Sequence, residues 1–384
     1  MKRIWVERVQ LTDFRNYASA VLEVGPEPVV LVGANGSGKT NFLEAISLLA
    51  PGQGLRRAAF ADIARAGGDG GWAVAARVHT RDGPRDIGTG QSAGTGGSER
   101  TGRLVRVDGT TARSSGILAD LVEAVWVTPA MDGLFTGAAS DRRRFLDRLI
   151  LCFDPAHGTR ANRFERAMQS RNRLLADGMR GDAQLAGFEL QMAETGVAIA
   201  AARVEALAAL GDVVAGRRAR DAASPFPWAS VAIEGRLEQE LAAHPAIEVE
   251  ELYGRMLAEG RERDRAAGRT LSGPHRSDLV VGHGPKQMPA RLSSTGEQKS
   301  LLLGLVLAQS ELIAARNDAT APLLLLDEVT AHLDDSRRAA LFAEIDRLGA
   351  QAWMTGTDLA AFAALRPRSR EIVVDNGRLS RLHQ

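Results

Sequence analysis

Residues 4–11 and 18–24 alternate apolar and polar side chains, the period of half-buried strands. Residues 28–32 form a continuous apolar run, which reads as a buried strand. A glycine-rich loop separates it from residues 41–46, the first turns of a helix. Residues 73–78 and 103–107 read as further strands. Between them, residues 82–102 are rich in Gly, Ser and Thr and predict a long mobile hairpin loop. The pattern changes near Trp126. From Asp141 to about Arg220 helical spacing dominates. Phe145, Leu149 and Phe153 share one face, as do Leu185, Phe188 and Met192, and then Val197, Ala201 and Val204. Ser224-Pro225-Phe226-Pro227 breaks the helices, and Leu252, Met256 and Glu259 resume the pattern up to Arg265. Strand-like runs return at residues 323–326, 351–354 and 371–374. The pattern predicts an α/β head in two pieces, residues 1–125 and 268–384, with a helical arm inserted over residues 126–267.

The loop between the buried strand and the first helix reads Gly33-Ala34-Asn35-Gly36-Ser37-Gly38-Lys39-Thr40. It matches the P-loop pattern G-x-x-x-x-G-K-[ST], in the strand–loop–helix setting that the motif needs. Glycines let backbone N–H groups wrap phosphates, and the helix N-terminus adds a favourable dipole. Lys39 is expected to reach the β- and γ-phosphates of ATP, and the Thr40 hydroxyl to ligate Mg²⁺. The run Leu323-Leu324-Leu325-Leu326-Asp327-Glu328 is an apolar strand ending in two carboxylates, the Walker B arrangement. Asp327 is expected to hold Mg²⁺ and Glu328 to orient or deprotonate an attacking water.

A third element separates the P-loop classes. Leu292-Ser293-Ser294-Thr295-Gly296-Glu297 resembles the ABC signature L-S-x-G-[QE], with Ser294, Gly296 and Glu297 at its key positions. Thr330-Ala331-His332-Leu333-Asp334 then follows Walker B and resembles a D-loop, with Asp334 as its main candidate.

Composition adds constraints. Net charge is +1, so nucleic-acid binding has to come from local patches. Of 48 basic residues only Lys2, Lys39, Lys286 and Lys299 are lysine. Residues 142–180 hold ten arginines against four acidic residues, whereas residues 182–212 hold one arginine and five acidic residues. The first stretch reads either as a phosphate-contacting face or as a solvated helix surface. Arg142-Arg143-Arg144 with Arg148 is the candidate DNA contact, since only Asp141 and Asp147 lie nearby in sequence. The single cysteine, Cys152, excludes an intrachain disulfide and reads as a small buried hydrophobe. No apolar run reaches membrane-spanning length and the N-terminus is charged, which fits a cytoplasmic protein.

The chain resembles the RecF family of bacterial recombination mediators, relatives of the SMC and ABC ATPases. The resemblance is carried by Leu11-Thr12-Asp13-Phe14-Arg15-Asn16-Tyr17, the P-loop with the helix after it, and Arg142-Arg143-Arg144-Phe145-Leu146-Asp147. It continues through Ser272-Gly273-Pro274-His275-Arg276-Ser277-Asp278-Leu279, the signature, the D-loop and Thr355-Gly356-Thr357-Asp358. It departs at Ser277, where the family often has Asp. It implies an ABC/SMC-type P-loop ATPase head with a short helical arm. It also implies ATP-driven homodimerisation on duplex DNA and single/double-strand junctions, with the signature facing the other subunit's ATP. Slow hydrolysis would serve release. The implied partners are DNA, RecR, RecO and RecA, and the implied roles are gap repair, fork maintenance and the SOS response. An ATPase subunit of an ABC-type transporter and a P-loop kinase are the alternative readings.

Overall fold

The computed structural model describes residues 3–93, 102–152, 154–178 and 182–382. Strands β1 (Trp5–Phe14), β2 (Tyr17–Glu23) and β3 (Val29–Val32) lead into helix α1 (Lys39–Ser47). Strands β4 (Trp72–Thr80), β5 (Gly83–Gln91), β6 (Leu104–Val107), β7 (Thr110–Thr111) and β8 (Ala124–Val127) follow. Helices α2 (Ala139–Leu151), α3 (Ala156–Ala176) and α4 (Asp182–Arg220) precede strand β9 (Ala229–Glu234). Helices α5 (Arg236–Leu241), α6 (Ala246–Glu259) and α7 (Arg261–Ala267) precede strands β10 (Asp278–His283) and β11 (Met288–Pro289). The chain closes with α8 (Thr295–Arg316), β12 (Leu323–Leu326), α9 (Asp335–Leu348), β13 (Ala352–Gly356), β14 (Arg370–Asp375) and β15 (Arg378–Arg381).

The chain forms two compact units. The first, residues 1–132, 221–227 and 294–384, carries an antiparallel sheet ordered β2-β1-β4-β5-β6-β7 and a largely parallel sheet ordered β15-β14-β3-β13-β12-β8. Strands β3, β8 and β12 are buried at every residue, as parallel strands covered on both faces are. Helix α8 is apolar nearly all round and correspondingly buried. Gln351 ties the sheets together: its side chain bonds the backbone N–H and carbonyl of Val6 and the carbonyl of Gly25. The second unit, residues 133–220 and 228–293, packs α3, α4, α5 and α6 around Phe164, Met192, Val197, Val249, Tyr253 and Leu257, beside a sheet ordered β11-β10-β9. These limits differ from the sequence boundaries at 126 and 267. Strand β8 pairs with β12 and so lies in the first unit, while β10 pairs with β9 and lies in the second.

Four local expectations change. The glycine-rich stretch after Asp82 is strand β5, paired with β4 from Thr80↔Gly83 to Trp72↔Gln91. Gly90 is there because a Cβ would sit 2.4 Å from the Trp72 carbonyl, a close backbone approach. Residues 94–101 of the expected loop lie outside the described residues, as does Phe153. In α6 the buried stripe is Val249, Tyr253 and Leu257 rather than Leu252, Met256 and Glu259. In α4 Val197 is buried but Val204 is exposed, because Arg203 turns inward next to it. Cys152 is half-buried, its thiol against the Arg148 carbonyl.

Candidate nucleotide site

The P-loop joins β3 to α1 within the first unit. Gly33 is obligatory: its φ is 159° and a Cβ would lie 2.2 Å from the Val374 carbonyl. Gly38 has φ 119°, and a Cβ there would meet Asn16 Nδ2 at 2.6 Å and the Tyr17 hydroxyl at 2.9 Å. Both of those side chains hold the loop. Asn16 donates to the Ser37 carbonyl at 3.0 Å and Tyr17 to the Gly38 carbonyl at 3.0 Å. Gly377 N–H also donates to Ser37 O, at 3.0 Å. Ala34, Asn35 and Gly36 form the exposed rim. Helix α1 starts at Gly38 with no side-chain cap and no acidic residue in its first turn, so its positive end is left for an anion. The Ser37 hydroxyl is buried beside it and has no hydrogen-bond partner among the described residues.

Lys39 folds back to donate to the Gly33 and Ala34 carbonyls at 2.7 and 2.9 Å. Burial lowers its pKa from the ordinary lysine value, and the carboxylates of Glu328 and Asp327 oppose that shift.

Strand β12 delivers Asp327 to the same place. The side chain is 2% exposed. Both its oxygens accept from the Thr40 hydroxyl at 2.9 Å, and Oδ1 accepts from Thr355 at 2.7 Å. Among the described residues Asp327 forms no ion pair. Glu328 follows with φ 48°, and its N–H donates to the Thr355 hydroxyl at 2.7 Å. Thr355, at the end of β13, therefore grips both Walker B residues. Its position in Thr355-Gly356-Thr357-Asp358 was the available signal, but only the fold gives it this role.

The signature residues open α8. Ser294 accepts from Glu297 N–H, and Glu297 Oε2 accepts from the Ser294 N–H and hydroxyl at 3.1 Å, a full capping box. A Cβ on Gly296 would lie 3.0 Å from the His332 carbonyl, so the signature abuts the D-loop. Asp334 caps α9: it accepts from Arg337 N–H at 2.9 Å and from the Ser336 hydroxyl at 2.7 Å. Those bonds, the Ser336 one foremost, lower its pKa below the usual carboxylate range. One turn into α8, Lys299 is fully buried and paired with Asp132 at 2.6 Å. Arg56 reaches back to α1, donating to Asn41 Oδ1 and pairing with Glu44 at 3.2 Å; Arg15 holds the same buried Glu44 with two bonds.

The arginine cluster has partners that sequence proximity does not show. Arg142 forms a two-pronged pair with Asp278 at 2.8 and 2.7 Å and also donates to the Leu134 and Gly137 carbonyls. Arg143 donates to the Ser277 carbonyl at 2.7 Å. Arg144 pairs with Asp141 at 2.5 Å, and Arg148 lies over the Phe145 ring. At the family's acidic position, the Ser277 hydroxyl donates to the buried Glu238 at 2.6 Å.

P-loop, Walker B, signature and D-loop on one largely parallel sheet define a P-loop ATPase head of the ABC/SMC class. The sequence pattern described as the RecF/RecN/SMC N terminal domain matches residues 5–358. A "DNA replication and repair protein RecF" of Mesorhizobium japonicum is 55% identical over 97% of this chain and 96% of its own. One of Brucella suis is 52% identical over 98% and 96%. The chain belongs to the RecF family. In fold it is similar to the recombination mediator protein RecF solved with ATPrS (TM-score 0.84, 22% identity, covering 100% of this chain and 99% of that one). The Smc head domain of Pyrococcus furiosus is a more distant likeness (TM-score 0.55, 16% identity, covering 99% and 96%). Among the described residues no helix is long and apolar enough to cross a membrane.

Proposed function

We propose that this protein is an ATP-dependent DNA-binding protein of recombinational repair. In this reading ATP binding drives homodimerisation on duplex and gapped DNA, and slow hydrolysis releases the dimer. The dimer assists RecA loading together with RecR, with RecO as a further partner, and so supports fork maintenance and the SOS response. Membership of the RecF family supports the role in replication and repair.

One observation carries the nucleotide part: a buried carboxylate, Asp327, whose bonded partners are the hydroxyls of Thr40 and Thr355. Hydroxyls satisfy its hydrogen-bonding capacity without pairing its charge, which only the longer-range field of Lys39 offsets, and that suits a cation. Thr40 and Asp327 would hold Mg²⁺, which when bound offsets the negative charge of the nucleotide's β- and γ-phosphates. Among the described residues no group of three or more His, Cys, Asp or Glu forms a metal site. Mg²⁺ needs none, because it keeps waters and phosphate oxygens as ligands. Lys39 would exchange its bonds to the Gly33 and Ala34 carbonyls for phosphate oxygens. Glu328 would orient the attacking water. Ser294 and Gly296 would meet the nucleotide of the second subunit, with Asp334 at the same interface.

Light scattering with and without ATP, Mg²⁺ and gapped duplex tests this. The mass doubles with ATP in the wild-type chain, and Ser294→Arg binds ATP yet stays monomeric. A mass that ignores ATP contradicts the proposal. Loss of monomer ATP binding in Ser294→Arg would place the signature on its own subunit's nucleotide.

A further inference from the structure

Helix α3 uses arginine in two opposite ways. Its inner face buries His157, Phe164, Ala167, Arg171 and Leu175. Arg171 is completely buried, bonded to Glu189 at 3.0 Å, Asp264 at 2.7 Å, the Thr270 hydroxyl at 2.9 Å and the Leu257 carbonyl at 2.7 Å. That set of bonds fixes the rotation of α3 about its axis. The opposite face carries Arg163, Arg166 and Arg173, all exposed. At 3.6 residues per turn they fall within about 80° of the circumference and span ~15 Å along the axis.

None of the three has a hydrogen bond, ion pair or ring contact among the described residues. Other exposed arginines of this molecule are paired, Arg77 with Asp86, Arg255 with Glu251 and Arg265 with Glu262. Glu165, the one acidic residue of α3, holds Gln169 at 2.8 Å. Arg269, also exposed and without a side-chain partner, adjoins Thr270, whose hydroxyl donates to Asn172 of α3 at 2.7 Å. It extends the same positive surface at the C-terminal half of the helix. In a chain of net charge +1, this is a local, uncompensated and rigidly mounted row of cations.

We infer that Arg163, Arg166 and Arg173 are phosphate contacts for the DNA backbone, with Arg269 flanking them. A ~15 Å row matches about four phosphates along one strand at 3.4 Å of helix axis each. The inference rests on the DNA-binding reading above and names its site. It also moves the contact from Arg142 and Arg143, whose guanidinium groups are used internally, to the next helix. Guanidinium forks on a fixed helix face suit phosphate oxygens and carry no base preference.

The test is fluorescence anisotropy of a labelled duplex against the full chain with ATP and Mg²⁺, over a salt series. In the triple variant Arg163→Ala, Arg166→Ala, Arg173→Ala the slope of log K against log salt should flatten by about 2.7, ~0.9 per contact. Affinity at 0.15 M salt should fall by roughly 10²-fold, the same slope carried down from 1 M. The melting temperature should hold, since all three side chains are exposed. The triple arginine-to-lysine variant should keep the slope. If the wild type shows salt-dependent duplex binding and the alanine variant keeps its slope, this surface is not the contact. If the wild type shows no duplex binding, the DNA reading itself fails.

Discussion

Carboxylates in the two units are held in contrasting ways. In the first unit, Asp327 accepts from the neutral hydroxyls of Thr40 and Thr355. In the second, Asp264 meets the guanidinium of Arg171, and Asp147 meets Arg203 with two bonds at 2.9 Å and His157 at 3.0 Å. The second arrangement is electrically complete: charge meets charge and nothing further is needed. The first leaves a buried negative charge with no ion pair among the described residues, offset only by the longer-range field of Lys39. A folded chain tolerates such a residue where a cation arrives with the ligand. Neutral partners around a buried charge mark a working site, whereas countercharges mark a brace. The same contrast separates the arginines. Arg171, Arg142 and Arg203 are braces, and the exposed row on α3 is left free.

Each half of the contrast can be tested separately. The largest expected effect is at Glu328. Glu328→Gln should lower single-turnover ATP hydrolysis by ~10²–10⁴-fold while ATP binding holds, as expected of a carboxylate proposed to act on water rather than on the metal. Undiminished turnover would remove it from the chemistry. Next is Arg171→Met, which leaves Glu189 and Asp264 without their buried partner. The expected destabilisation is ~3–5 kcal/mol in chemical denaturation. A loss below about 1 kcal/mol would mean that the network relaxes to water, as surface pairs do.

Smaller effects belong to partly exposed braces. Arg142→Ala combined with Arg143→Ala should cost about 1–2 kcal/mol, because the Arg142–Asp278 pair is partly screened by solvent. Any loss of DNA affinity should follow the loss of folded protein. A stable double variant with weakened DNA binding would return these residues to the DNA footprint. The smallest effect is at Asp147. Burial raises its pKa, but the bonds from His157 and Arg203 outweigh that and hold it below the usual carboxylate range. The depressed value contributes stability that is present above the unfolded carboxyl range, near pH 4, and lost as pH falls through the folded value. Asp147→Asn should therefore flatten the decline of melting temperature below pH 4. An unchanged acid profile would show that other carboxylates set it.

The nucleotide motifs were legible in the sequence because their residues are contiguous and their chemistry depends on local backbone shape. Gly33 to Thr40 needs only a strand before it and a helix after it. Thr355 was not legible as a Walker B clamp, since only the pairing of β12 with β13 brings it to Asp327. The pairing of Arg142 was hidden for the same reason: Asp278 is 136 residues away and no periodicity points to it. Helix α6 has apolar residues on more than one face, so spacing alone could not choose between Leu252 and Tyr253. Strand β5 was hidden because glycine reads as a loop former unless a neighbouring backbone is known to press against it.

The role proposed for Asp327 is that of a cation site completed by the nucleotide. Calorimetric titration of ATP, with Mg²⁺ and with EDTA, into wild type and Asp327→Asn tests it most directly. Mg²⁺ should strengthen ATP binding to the wild type, and Asp327→Asn should lose this enhancement while its affinity in EDTA does not fall. An Asp327→Asn protein in which Mg²⁺ still strengthens ATP binding as much as in the wild type would contradict it.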